Sequence, residues 1–185
     1  MTVAEVKAQL NLSTTHDDEL IARITSAAAT YLENQYTRCF ITQTRELKMR
    51  TFDDRRYVHD RAVFFPRSPL STTADPSISF VNSVGTTTTA STTSYVVSHD
   101  KPGRLYEAYN NTWEATRNAP DDVTITYICG YGTTQSNVPD PVRHAVGMLA
   151  AHWYRNREAV GGSMSHEVKL GVESLMANEM VPDYG

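Results

Sequence analysis

Ser98-His99-Asp100 and Ser165-His166-Glu167 contain the residue types of a nucleophilic triad. A working triad is assembled in space from separate elements, and neither string lies in a G-x-S-x-G turn that would present the serine to a substrate. The acid pairs Asp17-Asp18, Asp53-Asp54 and Asp121-Asp122 could divide general acid and base roles. Neighbours on a strand point to opposite faces and on a helix diverge by about 100°, so these pairs read as helix caps and turns. His144 and His152 stand two turns apart on one predicted helix without an H-E-x-x-H frame, which leaves a metal short of ligands. The glycines of Cys129-Gly130-Tyr131-Gly132 do not make a phosphate loop, because the helix that follows opens on Asp140 and Pro141 and would meet an anion with a carboxylate. They turn a strand into a loop instead. No catalytic, cofactor or metal residue is assigned, and the chain is expected not to be an enzyme.

The 185 residues suffice for one domain or two small ones. The formal charge of -4 argues against a general nucleic-acid binder, though not against a protein that DNA passes by. The basic stretch 45–67 interleaves Arg and Lys with Phe and Tyr, but Glu46, Asp53, Asp54 and Asp60 dilute it into a solvated hairpin. The opening M-T-V-A-E-V-K has no basic start followed by an apolar run, so synthesis in the cytoplasm is expected. Cys39 and Cys129 lack ligand spacing and read as two buried thiols.

Thr2 and Glu5 fit a capping box for a short helix ending near Asn11. A longer helix follows Asp17, with Ile21, Ile24, Ala28 and Leu32 on one face to about residue 36. Strands are predicted from residue 40 onward, at 62–65, 78–81, 95–97, 104–106 and 123–128. The Thr-rich run 84–95 is read mainly as a loop, with a strand of weak register as the alternative. Asp140 is expected to cap a helix with Pro141 in its first turn, and Val142, Val146, Leu149 and Trp153 give that helix its buried stripe. Gly147 and Ala151 would let another helix approach closely. Beyond Gly161-Gly162 a tail carries apolar points and needs a partner surface, its own domain being one option.

These pieces, in this order, resemble the head-tail connector (adaptor) family of tailed bacteriophages, also found in prophages and gene-transfer agents. The resemblance rests on V-K-A-Q-L-N-L at 6–12, D-D-E-L-I with Thr37-Arg38, P-R-S-P-L followed by I-S-F-V, then Tyr127, Gly130-Tyr131-Gly132, Val138-Pro139 and Tyr154 with Arg157-Glu158. The chain departs from it in the Thr-rich stretch and in a larger β portion.

The resemblance implies an α+β fold: residues 1-38 and 138-160 as one helical core, 39-132 as a β-rich insertion, and 161-185 as a flexible portal-docking tail. It implies a ring of about twelve subunits beneath the portal protein. Such a ring extends the DNA channel after packaging, joins the head to a stopper, neck or tail-completion protein, and lets double-stranded DNA pass without specific binding. The expected location is the virion neck, and no cofactor is implied. Portal-binding residues would be Leu170, Val172, Leu175, Met176 and Tyr184, and the subunit interface would hold Arg143, Arg155, Arg157 and Glu158. Removal of everything after Val160 should then abolish portal binding and leave the fold intact. The alternatives are a stopper or tail-completion protein, a β-rich receptor- or glycan-binding module, and a nucleic-acid-processing enzyme using the basic stretch.

Overall fold

A computed structural model describes residues 1–157 and 166–179. The fold is α+β and divides into two compact units, Met1–Phe40 with the described residues from Gly132 onward, and Ile41–Tyr131.

The first unit is helical. Helix α1 (Val3–Leu10) opens on the expected capping box: the Glu5 amide donates to Thr2 Oγ1 at 3.2 Å, and the Thr2 amide donates to Glu5 Oε2 at 2.6 Å. Asn11 ends it in the left-handed conformation at φ 56°. Helix α2 (Asp18–Gln35) buries Ile21, Thr25, Ala28 and Leu32, a stripe at helical spacing. Helix α3 (Asp140–Arg155) buries Val142, Ala145, Val146, Leu149 and Ala150 and packs on α2, with Trp153 edge-on to Tyr31 at 5.8 Å. Gly147 lies under α1, where a Cβ would come within 2.5 Å of Gln9 Oε1 and the Met1 side chain. The small residue therefore serves the first helix.

Two expectations change here. Pro139 is the N-cap of α3, and the Asp140 carboxylate makes no cap hydrogen bond; it accepts from Arg143 Nη1 at 3.0 Å. The helix begins at Asp140 itself, one residue earlier than that reading placed it, so its carboxylate is in the first turn and not at the cap. The span 161-185, expected as a flexible tail, contains helix α4 (His166–Met176), which packs on α3 with Val172 and Met176 buried. A 3-10 turn, Ala177–Glu179, continues it, and the Glu179 carbonyl accepts from the buried Arg38 Nε.

The second unit holds two four-stranded antiparallel sheets. Its strands are β1 (Gln43–Met49), β2 (Val58–His59), β3 (Ala62–Phe64), β4 (Ser77–Val81), β5 (Thr87–Thr89), β6 (Tyr95–Ser98), β7 (Arg104–Glu107) and β8 (Val123–Cys129). They are ordered β1-β8-β4-β5 and β2-β3-β7-β6. Strand β8 alternates strictly, with Val123, Ile125, Tyr127 and Cys129 buried. Burial pushes the Tyr127 hydroxyl up to about 12. Phe52 stacks on Trp113 with ring centroids 4.4 Å apart and meets Phe80 edge-on at 5.7 Å.

The Thr-rich run supplies β5 and a 3-10 turn at Thr92–Ser94 where a loop was the main expectation. The cause is Asn82, whose Oδ1 accepts the amides of Val84 at 3.2 Å and Thr86 at 2.9 Å and sets the hairpin turn. Cys39 and Cys129 are both disulfide-bonded, which corrects the reading as free thiols.

Candidate functional site

Several of the chemistry-bearing residues have local partners. Ser98 Oγ donates to Asp100 Oδ2 at 2.6 Å, while His99 Nε2 faces Asp75 Oδ1 at 3.7 Å, so serine and histidine are not coupled. The side chains of Ser165-His166-Glu167 lie outside the described residues. Asp54 is held down to about 2 by the Arg56 guanidinium bonded to it, and Asp122 accepts the Ala119 amide at 2.6 Å and Arg117 Nη2 at 2.8 Å. Among the described residues no group of three or more His, Cys, Asp or Glu could hold a metal ion, and no helix is long and apolar enough to cross a membrane. Three of the seven basic residues of the stretch 45–67 pair with acids, Lys48 on Glu46 at 3.5 Å, Arg56 on Asp54 at 2.6 Å and Arg61 on Glu107 at 3.4 Å. Alternating charges along a hairpin pair with one another before they can present a basic face.

Of the expected interface residues, Arg143 reaches Glu5 Oε1 at 2.5 Å and Asp140 Oδ1 at 3.0 Å, tying α3 to α1. Arg157 Nη2 reaches Asp17 Oδ2 at 3.0 Å, and its guanidinium lies 4.4 Å from the Tyr154 ring centroid. The Tyr154 hydroxyl donates to the same Asp17 oxygen. Arg155 is exposed and has no ion pair among the described residues, and Glu158 lies outside them. Of the expected portal-binding residues, Val172 and Met176 are buried, Leu175 is half-buried, Leu170 is 52% exposed, and Tyr184 lies outside the described residues.

The Asp17-Tyr154-Arg157 clamp, joining the start of α2 to the end of α3, was missed in the sequence because Asp17 reads there as a helix cap. The Tyr154 hydroxyl first, and Arg157 after it, hold the Asp17 carboxyl below the ordinary carboxylate range. A depressed folded-state value stabilises the fold above the unfolded-state value, and that stabilisation is lost as pH falls through the folded one. Tyr154→Phe should therefore lower Tm at neutral pH and shrink the further drop on acidification below about pH 4; an unchanged acid limb in thermal melts would show that the clamp carries no proton linkage.

Also unforeseen was a shallow groove on the sheet β2-β3-β7-β6, of about 470 Å³, lined by His59, Phe64, Arg104 and Tyr106. Arg104 lies 5.1 Å from the Phe64 ring centroid, and His59 meets that ring edge-on at 5.8 Å. The alternation of β3 and β7 contains the signal, but only their register joins it, pairing Phe64 with Arg104 and Ala62 with Tyr106.

No protein family and no curated protein matches the sequence. Solved structures do. A chain of "Neck of empty GTA particle computed with C6 symmetry" aligns over 100% of this chain and 91% of its own length at 21% identity and a TM-score of 0.75. It shares its fold with gene transfer agent neck chains. A chain of "Virion of native gene transfer agent (GTA) particle" gives 20% identity and 0.76 over the same shares. A chain of "Neck of native GTA particle computed with C12 symmetry" covers 94% of this chain and 86% of its own at 22% identity and 0.66.

Proposed function

We propose that this chain is a structural protein of a phage-type virion neck, a head-tail connector that assembles as a ring beneath the portal and extends the DNA channel toward the tail. The observation that carries the reading is the fold likeness, which runs through both units to GTA neck chains rather than through one common subdomain. Those necks were computed with C6 and C12 symmetry, which supports a ring of twelve. A cyclic ring needs two different side faces on each subunit. The exposed Arg155 belongs to one of them, whereas Arg143 and Arg157 act inside the subunit by holding the helices together. The outer face of α4, with Leu170 at its centre, docks on the portal, and Val172 and Met176 act from behind by fixing α4 on α3. Net acidity and the local pairing of the basic stretch suit a channel along which DNA slides.

The test is co-sedimentation of the purified chain with portal-bearing, tailless capsids of its own phage. The wild-type chain should pellet with the capsids, and Leu170→Asp should lose at least about tenfold in affinity while keeping its Tm, because an anchor at the centre of an interface dominates binding. Equal binding by both proteins would remove α4 from the interface. Binding by neither would remove the portal as partner.

A further inference from the structure

Residues 76–99 contain no Asp, Glu, Lys or Arg, and the neck reading leaves them unused. They build β4, the β5 hairpin and β6, and they place β5 at one edge of the sheet β1-β8-β4-β5. In that hairpin the Asn82 amide donates to the Thr86 carbonyl, and the Ala90 amide donates to the Ile78 carbonyl, both at 2.9 Å. With Phe80 opposite Thr88, residues 86, 88 and 90 turn their peptide groups toward β4, and Thr87 and Thr89 turn theirs outward. Two amides and two carbonyls are thus offered along an exposed edge.

Proteins normally guard such an edge with charge, proline, a bulge or a covering segment. The other edge of this sheet follows that rule. The Ile128 carbonyl accepts the Ser71 amide at 2.8 Å and so points away from β1, which leaves Thr44, Glu46 and Lys48 with the outward peptide groups on β1. The exposed charges of Arg45, Glu46 and Lys48 stand along it. Strand β5 has no charge and no proline, and no strand lies beyond it among the described residues. Asn82 presets its turn, so little ordering is needed on pairing.

We propose that β5 is the docking edge for an extended, uncharged segment of the adjoining neck protein, which joins the sheet as a fifth strand through Thr87 and Thr89. This rests on the ring reading, which also removes a second copy as occupant. Pairing β5 with β5 creates a two-fold axis that a cyclic ring does not contain. Pairing β5 with the β1 of a neighbour would set an uncharged strand against the edge that Arg45, Glu46 and Lys48 guard with charge. The side chains of Thr87 and Thr89 share a sheet face with Ser77, Ser79, Thr124 and Thr126, while Thr88 shares the other with Ile78 and Phe80. The incoming segment therefore alternates small polar with apolar residues, as other strand-addition ligands do.

Hydrogen exchange, read at single-residue resolution on the free protein and on purified particles that contain it, tests the proposal. Exchange at the Thr87 and Thr89 amides should slow by at least about tenfold on assembly, with Thr88 and Ala90 already protected in the free chain. Thr87→Pro removes one outward donor at an edge position that tolerates proline; it should keep its Tm and its ring on the portal but lose the next neck component. Rings in which Thr87 and Thr89 still exchange fast would overturn strand addition and leave the ring reading standing. Particles that lack the chain altogether would overturn both. Disulfide-linked dimers of Thr88→Cys on oxidation of assembled particles would also overturn the proposal, because only two-fold self-pairing brings Thr88 opposite its copy.

Discussion

Gly130→Ala is expected to destabilise the β unit on the order of 4 kcal/mol, the sum of a strained backbone and a steric overlap. Gly130 follows β8 directly and has φ +125°, a conformation that L side chains rarely adopt. A Cβ there would lie 2.6 Å from the Ile41 carbonyl carbon and the Thr42 nitrogen, both backbone atoms that cannot rotate aside. The Gly130 amide also donates to the Pro69 carbonyl at 2.9 Å, so the chain cannot relax without breaking that bond. Urea unfolding followed by tryptophan fluorescence, with Trp113 in this unit, would measure the loss. A change under about 1 kcal/mol would mean that the turn can be rebuilt around a side chain.

Truncation after Val160 is expected to destabilise the helical unit by about 4 kcal/mol, where the sequence alone suggested an intact fold. Val172 and Met176 are buried against the unit, and burying each such side chain contributes roughly 1.5 to 3 kcal/mol. The cut also removes the Glu179 carbonyl, an acceptor for the buried Arg38 guanidinium, and loss of an acceptor by a buried charge adds to the penalty. Thermal melts of the truncated chain should show a lower first transition. Loss of portal binding by this variant would therefore report unfolding as much as docking, and Leu170→Asp is the cleaner probe. An unchanged melt would mean that α4 adheres weakly and is free to leave α3.

The helices were legible in the sequence because their signals are local. Thr2 with Glu5, the spacing of Ile21, Ala28 and Leu32, and the stripe Val142, Val146 and Leu149 lie within a few turns of each other and fix both the ends and the buried face. The main strands were legible for the same reason, Val123 to Cys129 above all. What the sequence concealed depends on partners brought from a distance. Asp17 looked like a cap until Tyr154 and Arg157 met it, and Asn82 turned a Thr-rich run into an edge strand. The tail was read only as apolar points in need of a surface, with its own domain as one option. The surface that Val172 and Met176 find in the described residues is α3, which no spacing rule within the tail could identify.

A place in the virion neck can be tested by electron microscopy of portal-bearing, tailless capsids of the same phage, with and without the purified protein. Added ring-shaped density is expected at the portal vertex, into which both the helical and the β unit can be fitted, with α4 toward the portal. An unchanged portal vertex, with the added protein shown to be folded, would contradict it.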